Sequence, residues 1–433
     1  MAEKPRPPLI PSAAQAFLGS AGLASAITTA VFLTAFSTFA IRSVIEWPGL
    51  VAIVGGLMLA AAASLWFRRE HIGWHGAIPI SVIVFVGWAI ASVFWTNNVP
   101  VSGVRILYLL GFGFLGFYAA TVRDTIQIVR AAGDAFRVLL GASLVLEVLS
   151  GLLIDMPIRF LGIEGNLARL GPLQGIFGSR NQLGFISLIA LISFGIEYLT
   201  RSVPRQLARY SLVVAAVCLL MSRSPVIIGV LTAVVVAALA LAAVRRAKPH
   251  NRWALQLGLL GVLIVGGAIA WIARARIIDV LNAGSEFETR LTLWREMARY
   301  LATNPLQGWG WVGAWPRTPP YAWLNLATHR LNGTGLDAFI DVFFQLGLVG
   351  FIAFLALFGL ALVRSWLLAS EKRSIIYVWP ALILVALASV SLAESTVLFE
   401  GGWMLLVICA VKASRNMSWR DALRRHPDPV PVE

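Results

Sequence analysis

Apolar residues dominate this chain in long runs that are separated by short polar segments. A helix that crosses a membrane needs about 20 mostly apolar residues, and about twelve runs approach that length. They lie near residues 20–41, 49–66, 77–95, 104–122, 135–154, 181–199, 208–221, 224–243, 254–273, 337–363, 374–392 and 396–412. The pattern predicts an all-α, polytopic integral membrane protein with about 12 transmembrane helices.

The seventh and eighth spans form one apolar run that is interrupted at Ser222-Arg223-Ser224-Pro225. The run is too long for a single span. A proline beside an arginine at membrane depth is typical of a hairpin or a kink. The sequence therefore predicts two helices joined by a tight turn.

The most polar interruption separates the ninth span from the tenth. The predicted organisation is a cytoplasmic tail at 1–15, transmembrane helices 1–9 within 16–273, a large extracytoplasmic loop at 274–336, transmembrane helices 10–12 within 337–412, and a basic cytoplasmic tail at 413–433. Near 286–302, Arg290, Trp294, Met297 and Leu301 recur at helical spacing. This spacing predicts an amphipathic helix whose apolar face is suited to the membrane interface.

Lysine and arginine fix the predicted orientation, since cytoplasmic loops carry the excess of both. About 22 of the 35 basic residues fall on one set of loops and on both tails. Both termini are therefore predicted to be cytoplasmic. The first apolar run lacks a cleavage pattern and is expected to remain as a helix.

Composition narrows the class of protein further. The chain is 58% apolar and 13% charged, whereas soluble domains carry about 25% charged residues. The net charge of +14 is explained by loop anchoring rather than by nucleic-acid binding, so the expected partners include membrane lipids and no nucleic acid. The sequence has two cysteines and shows neither a zinc-type cluster nor a nucleotide-binding fingerprint, so no cofactor and no metal are expected.

Three arginines are candidate anion ligands. Arg223 lies in the turn between two spans, where an arginine usually marks a site, although it is alternatively a residue that extends to lipid headgroups. Arg290 lies near the start of the loop helix, where helix N-termini favour anions, although Glu286 is alternatively its ion-pair partner. Arg180 precedes a span, followed by Asn181 and Gln182.

The remaining candidates are hydrogen-bond donors, aromatic residues and proton acceptors. Either Ser179 or Asn181 is expected to cap the helix that follows, and Asn181 and Gln182 are also expected to contact the substrate. The loop tryptophans Trp294, Trp309 and Trp311 are expected to contact it as well. The candidate bases are His329, Asp337 and Glu394.

Several ordered blocks resemble the O-antigen ligase and polysaccharide polymerase family, whose members are multispan enzymes of bacterial envelope glycan assembly. These blocks are Gly178 to Gly184, Ser222 to Ser224, Arg290-x-x-x-Trp294, Asn304-Pro-Leu-Gln-Gly308-Trp-Gly310, Ala338 to Gly350 and Glu394-Ser395. Each block alone is weak evidence for the family. The resemblance depends on the order of the blocks around one large loop.

The resemblance implies a membrane glycosyltransferase of the GT-C type that uses a glycan donor linked to undecaprenyl pyrophosphate. It also implies that the protein lies in the cytoplasmic (inner) membrane of a bacterium, with its active site on the extracytoplasmic side. Family arginines that hold the pyrophosphate correspond to Arg223 and Arg290. The family's His-Asn pair is Leu336-Asp337 here, and His329 lies upstream, so the three candidate bases remain alternatives. Transfer is expected to invert the anomeric carbon.

Polymerisation of repeat units onto a glycan acceptor is the first hypothesis, because no mark of a lipid A acceptor site is present. The alternative within the family is a ligase that transfers the glycan to lipid A core or another acceptor. A flippase for lipid-linked sugars is the alternative of another class, and it predicts internal repeats and polar residues in the middle of spans.

Overall fold

The computed structural model describes residues 16–72, 78–169, 171–273, 276 and 284–416. In these ranges the chain consists of α-helices with short 3₁₀ and π turns, and one isolated bridge joins Ile158 to Ile163. The prediction of an all-α protein is confirmed. The predicted tails, apart from residues 413–416, lie outside the described residues.

The helices, in chain order, are α1 (Ala21–Phe36), α2 (Thr38–Phe67), α3 (Ile80–Ala91), α4 (Val99–Val122), α5 (Thr125–Val148), α6 (Arg180–Thr200), α7 (Arg205–Ser222), α8 (Pro225–Arg246), α9 (Arg252–Ile272), α10 (Gly284–Leu301), α11 (Tyr321–Thr328), α12 (Ala338–Glu371), α13 (Val378–Ser391) and α14 (Glu400–Asn416). Most of the helices follow one another through short connections, and longer connections precede α6 and α11.

Eight of the described helices are long and apolar enough to cross a membrane. They are α2, α4, α5 with the π turn after it, α6, α7, α8, α9 and α12, and shorter apolar helices lie at Ala21–Phe36, Ile80–Phe94 and Ile375–Ser391. The chain is therefore a membrane-embedded protein with several apolar helices. The count of twelve spans remains a prediction.

The first two predicted spans have different boundaries in the structure. The predicted span 20–41 covers α1 and the start of α2, because α1 ends at Phe36 and α2 begins at Thr38. α2 then bends at Glu46, whose φ is 58°, two residues before Pro48. Apolar continuity alone did not reveal this break.

The centre of the bundle is formed by α6 and α14. Every residue of α14 from Gly401 to Ala413 is buried, and the helix packs against α4, α12 and α13. α6 packs against α5, α7 and α13. α9 lies at the periphery beside α8, and none of the described side chains in its apolar window is buried.

α12 is interrupted at Gly347, where φ is 65° and ψ is −167°. The loop before it satisfies the freed backbone groups: Leu348 N–H donates to the Pro305 carbonyl at 2.9 Å, and Gly310 N–H donates to the Gln345 carbonyl at 2.8 Å. A Cβ on Gly308 would lie 2.5 Å from the Gly347 nitrogen. The Asn304 to Gly310 block therefore has a packing role at this break.

The predicted loop helix is present as α10, but its apolar face does not lie open to a membrane. Leu293 and Met297 are buried and pack with Tyr321 of α11 and Phe344 of α12. The prediction that this face rests on the membrane interface is wrong, because side chains of the protein itself cover it.

Candidate functional site

Polar residues from separate elements meet at one end of the helix bundle. This site end is formed by the first residues of α6, α8 and α12 and by the turn after α13. Asn181 Nδ2 donates to Glu394 Oε1 at 2.7 Å, and Asn181 Oδ1 accepts from Ser224 Oγ at 2.7 Å. Ser179 provides the cap of α6 by accepting from Gln182 N–H at 3.2 Å. Both polar atoms of the Asn181 amide therefore bind side chains of other elements.

Arg290 joins the same group from α10. Its Nη1 donates to the carbonyls of Leu336, at 2.7 Å, and of Ala393, and its Nη2 lies 3.6 Å from Glu394 Oε1. Arg290, Glu394, Asn181 and Ser224 are called the Glu394 network below. The expected pair with Glu286 falls outside the described side chains, and the acidic partner in the structure is Glu394.

Arg223 adjoins the Glu394 network through its neighbour Ser224. It follows the last residue of α7 with φ 46° and ψ 34°, a left-handed conformation that is costly for an arginine and often found at functional sites. Its side chain is exposed, and its guanidinium has no hydrogen-bond or ion-pair partner within the described ranges. Arg180, at the start of α6, is half-buried and already interacts within the protein.

The three candidate bases occupy different environments. Glu394 belongs to the network. Asp337 caps α12 by accepting from the N–H groups of Phe339 and Ile340 at 2.8 and 2.9 Å. Burial raises the pKa of Asp337 above its ordinary value, and these two hydrogen bonds partly oppose that shift. His329 is exposed at the end of α11. Only Glu394 contacts a candidate arginine directly.

The three predicted substrate-binding tryptophans separate into two environments. Trp294 donates from Nε1 to the Gly335 carbonyl at 2.8 Å, and Trp309 stacks on Phe344 with ring centroids 6.5 Å apart. Both therefore help to pack the loop. Trp311 lines a cavity beside the Glu394 network.

This cavity has a volume of about 330 Å³ and is called the Arg105 cavity. Gln182 and Thr396 lie in its wall and connect it to the network, since Gln182 Nε2 donates to Thr396 Oγ1 at 3.0 Å. Much of the wall is aromatic, from Phe36, Phe39, Tyr108, Phe177, Phe185, Trp311, Phe399 and Trp403.

Charged residues that the sequence analysis overlooked also line the Arg105 cavity. They are Arg42, Arg105 and Glu400. Glu400 accepts from Thr38 Oγ1 and from Tyr108 Oη at 2.7 Å, and lies 3.7 Å from Arg42 Nη2. The signal was available, because Arg105 and Glu400 are charges inside predicted spans, and such charges usually face a cavity.

A second overlooked feature holds the loop against α12. Asp341 is fully buried and accepts from Trp315 Nε1 at 2.9 Å, Gly335 N–H at 3.0 Å and Gln345 Nε2 at 2.8 Å. Gln345 Oε1 in turn accepts from the N–H groups of Val312 and Gly313, both at 2.9 Å. These hydrogen bonds make Asp341 a structural anchor between the loop and α12.

Among the residues that the structure describes, no group of three or more histidine, cysteine, aspartate or glutamate side chains could hold a metal ion. The site is therefore a constellation of guanidinium, carboxylate and amide groups beside an aromatic cavity. Neither a protein-family model nor a curated protein sequence matches this chain.

Proposed function

We propose that this protein is a membrane glycosyltransferase that takes its donor glycan from undecaprenyl pyrophosphate and polymerises repeat units of a surface polysaccharide. One observation supports this most strongly. Arg290, Glu394, Asn181 and Ser224 come from four separate elements and meet in one network. Arg223 is adjacent in the chain and has no hydrogen-bond or ion-pair partner among the described residues. Such an arrangement suits an anion that is delivered to the end of a helix bundle.

The chemistry follows from the residue types. A guanidinium fork matches the geometry of phosphate oxygens better than an ammonium group does. Arg223 and Arg290 would hold the pyrophosphate and stabilise the negative charge that develops as the glycosidic bond breaks. Glu394 would accept the proton of the acceptor hydroxyl, and direct displacement would invert the anomeric carbon.

The distribution of polar groups favours an enzyme over a flippase. A transporter that moves a sugar across the bilayer needs polar groups near the middle of its spans. In the described ranges, the Glu394 network lies at one end of the helix bundle, and Arg105 and Arg223 lie toward that same end, near the start of α4 and at the end of α7.

Deletion of the gene tests the proposal through the lipid-linked intermediates that accumulate. A polymerase predicts that single repeat units build up on the carrier lipid while surface polysaccharide is lost. Long unattached chains on the carrier would indicate a ligase instead. A normal profile of both intermediates and surface glycan would contradict the proposal.

Cysteine labelling tests the predicted side of the site end. Leu331 is 80% exposed, and Lys248 is exposed beyond the far end of α8. The native Cys218 and Cys409 are buried, so background labelling should be low. An impermeant maleimide should label Leu331→Cys in intact spheroplasts and Lys248→Cys only after lysis; the reverse pattern would contradict the orientation.

A further inference from the structure

The guanidinium of Arg105 is the most unusual group in the Arg105 cavity. It lies within α4, an apolar helix of spanning length. Its Cζ atom lies 5.1 Å from the ring centroid of Trp47. Among the described residues it has no hydrogen-bond or ion-pair partner. An arginine with five unused donors in such a helix is costly unless an acceptor occupies the space in front of it.

A second guanidinium adds to the positive charge at this point. The Cζ atom of Arg42 lies 4.9 Å from the same Trp47 ring, and Arg42 shares its acidic partner Glu400 with Tyr108 and Thr38. Two arginines and one glutamate leave one net positive charge on these three cavity-lining residues. A half-buried excess charge of this kind favours an anionic ligand.

The remaining wall of the cavity suits sugar rings. Its aromatic faces offer apolar contact to the C–H surface of a pyranose ring, while Glu400, Gln182 and Thr334 offer hydrogen bonds to hydroxyl groups. The volume of about 330 Å³ is at the small end of the range of ligand pockets, about 300–1,000 Å³. A phospholipid headgroup would not need the aromatic side chains or the groups that can bind hydroxyls in this wall.

We propose that the Arg105 cavity binds an acidic sugar, with Arg105 and Arg42 holding its carboxylate and the aromatic wall contacting its ring. The cavity adjoins the Glu394 network through Gln182 and Thr396. That the bound sugar is part of the transferred glycan or of its acceptor rests on the proposed function. The binding of an acidic sugar to the cavity does not depend on catalysis.

The test measures binding to the full-length protein in phosphatidylcholine nanodiscs. The probe is a glucuronosyl-glucose disaccharide, and cellobiose is the neutral control with the same number of rings. Isothermal titration should show at least about tenfold tighter binding of the acidic disaccharide. Arg105→Gln and, separately, Arg42→Gln should remove this preference, whereas Arg209→Gln, an exposed arginine on α7, should keep it. Thermal melting identifies any variant that fails to fold.

Three results would overturn the inference. One is equal binding of both disaccharides, and another is an acidic preference that survives both cavity substitutions in folded protein. The third is absence of disaccharide binding together with Arg105-dependent retention of phosphatidylglycerol, measured by native mass spectrometry, which would assign the cavity to a lipid headgroup. If deletion leaves polysaccharide normal but Arg105-dependent binding persists, the proposed function fails and the acidic-sugar site stands.

Discussion

Arg223 and Arg201 have the same local structure at opposite ends of the molecule. Each follows the last residue of a helix, each has a left-handed backbone, with φ 46° and 55°, and each is exposed. Arg223 adjoins Ser224 and the Glu394 network. Arg201 directly follows α6, about 30 Å along the helix from Asn181. The two arginines therefore differ in what surrounds them rather than in conformation.

Two other basic side chains at Arg201's end of the bundle, called the opposite end, serve the fold. Arg245 donates from Nη1 to the carbonyls of Ala369 and Lys372 at 2.5 and 2.9 Å, and Arg415 donates to the Thr121 carbonyl at 3.0 Å. The carbonyls at helix C-termini carry partial negative charge and attract cations. Helix ends thus neutralise these residues, whereas Arg223 and Arg105 lack such acceptors within the described part of the chain.

Glu394→Gln should have the largest effect on activity. The amide retains an acceptor for Asn181 but loses the negative charge beside Arg290 and the capacity to take a proton. We expect transfer to fall by about 10²–10⁴-fold, measured as polymer formed by the purified protein from lipid-linked repeat units. Glu371→Gln, an exposed glutamate at the opposite end, is the matched control; equal rates in both variants would remove Glu394 from the mechanism.

Arg223→Ala should lower transfer by about 10²–10³-fold, because one stabilising contact to the leaving group is lost. Melting should be close to wild type, since the guanidinium has no partner in the described structure. Arg201→Ala introduces the same residue into the same backbone conformation and should retain activity. Loss of activity in both variants would mean that the left-handed turn matters rather than the site.

Arg245→Ala should lower the stability of the protein and leave its activity unchanged, which is the opposite of the result expected for Arg223→Ala. Removing a half-exposed guanidinium from the end of α12 should cost about 1–2 kcal/mol of the free energy of unfolding. The melting temperature in detergent measures this loss, with the exposed neighbour Arg246→Ala as control. A folded Arg245→Ala protein without activity would contradict the proposed division between the two ends.

Substitution of Asp337 should have the smallest effect of these changes, and its effect on the free energy of unfolding should depend on pH. Burial raises the pKa of its carboxyl group in the folded state, so the folded protein binds this proton more tightly than the unfolded chain does. Its contribution to stability is therefore present at low pH and is lost as pH rises from the unfolded value through the folded pKa.

Asp337→Asn should reduce this pH dependence while preserving the helix cap, and Asp337→Ala should cost about 1 kcal/mol. Melting curves recorded from about pH 4 to about pH 7 test both expectations. Full transfer activity in Asp337→Asn is expected, and inactivity in the folded variant would identify Asp337 as the base.

The sequence predicted the helical class because apolar runs of spanning length have few alternatives. It also predicted the break at Arg223, where Ser224 caps α8 and Pro225 begins it. It did not predict the bend at Glu46 or the break at Gly347, since these depend on backbone partners that are distant in the chain.

The same limit explains what was overlooked at the site. Glu394 and Asn181 were recognised as unusual, but their contact across 213 positions could not be derived from local pattern. Arg105 and Glu400 belong to apolar runs in the sequence, and only the tertiary structure shows that both line one cavity. The covered face of α10 was likewise invisible, because helical spacing shows that a face is apolar without showing what packs on it.

The most direct test of the account is the affinity of the full-length protein for farnesyl pyrophosphate, a short polyprenyl pyrophosphate, in nanodiscs. We predict that Arg223→Ala weakens this binding by at least about tenfold, while Arg201→Ala binds as the wild type does. Farnesyl monophosphate should bind more weakly than the pyrophosphate to the wild type. Equal affinity of Arg223→Ala and Arg201→Ala for farnesyl pyrophosphate would contradict the claim that arginines at the site end bind a diphosphate.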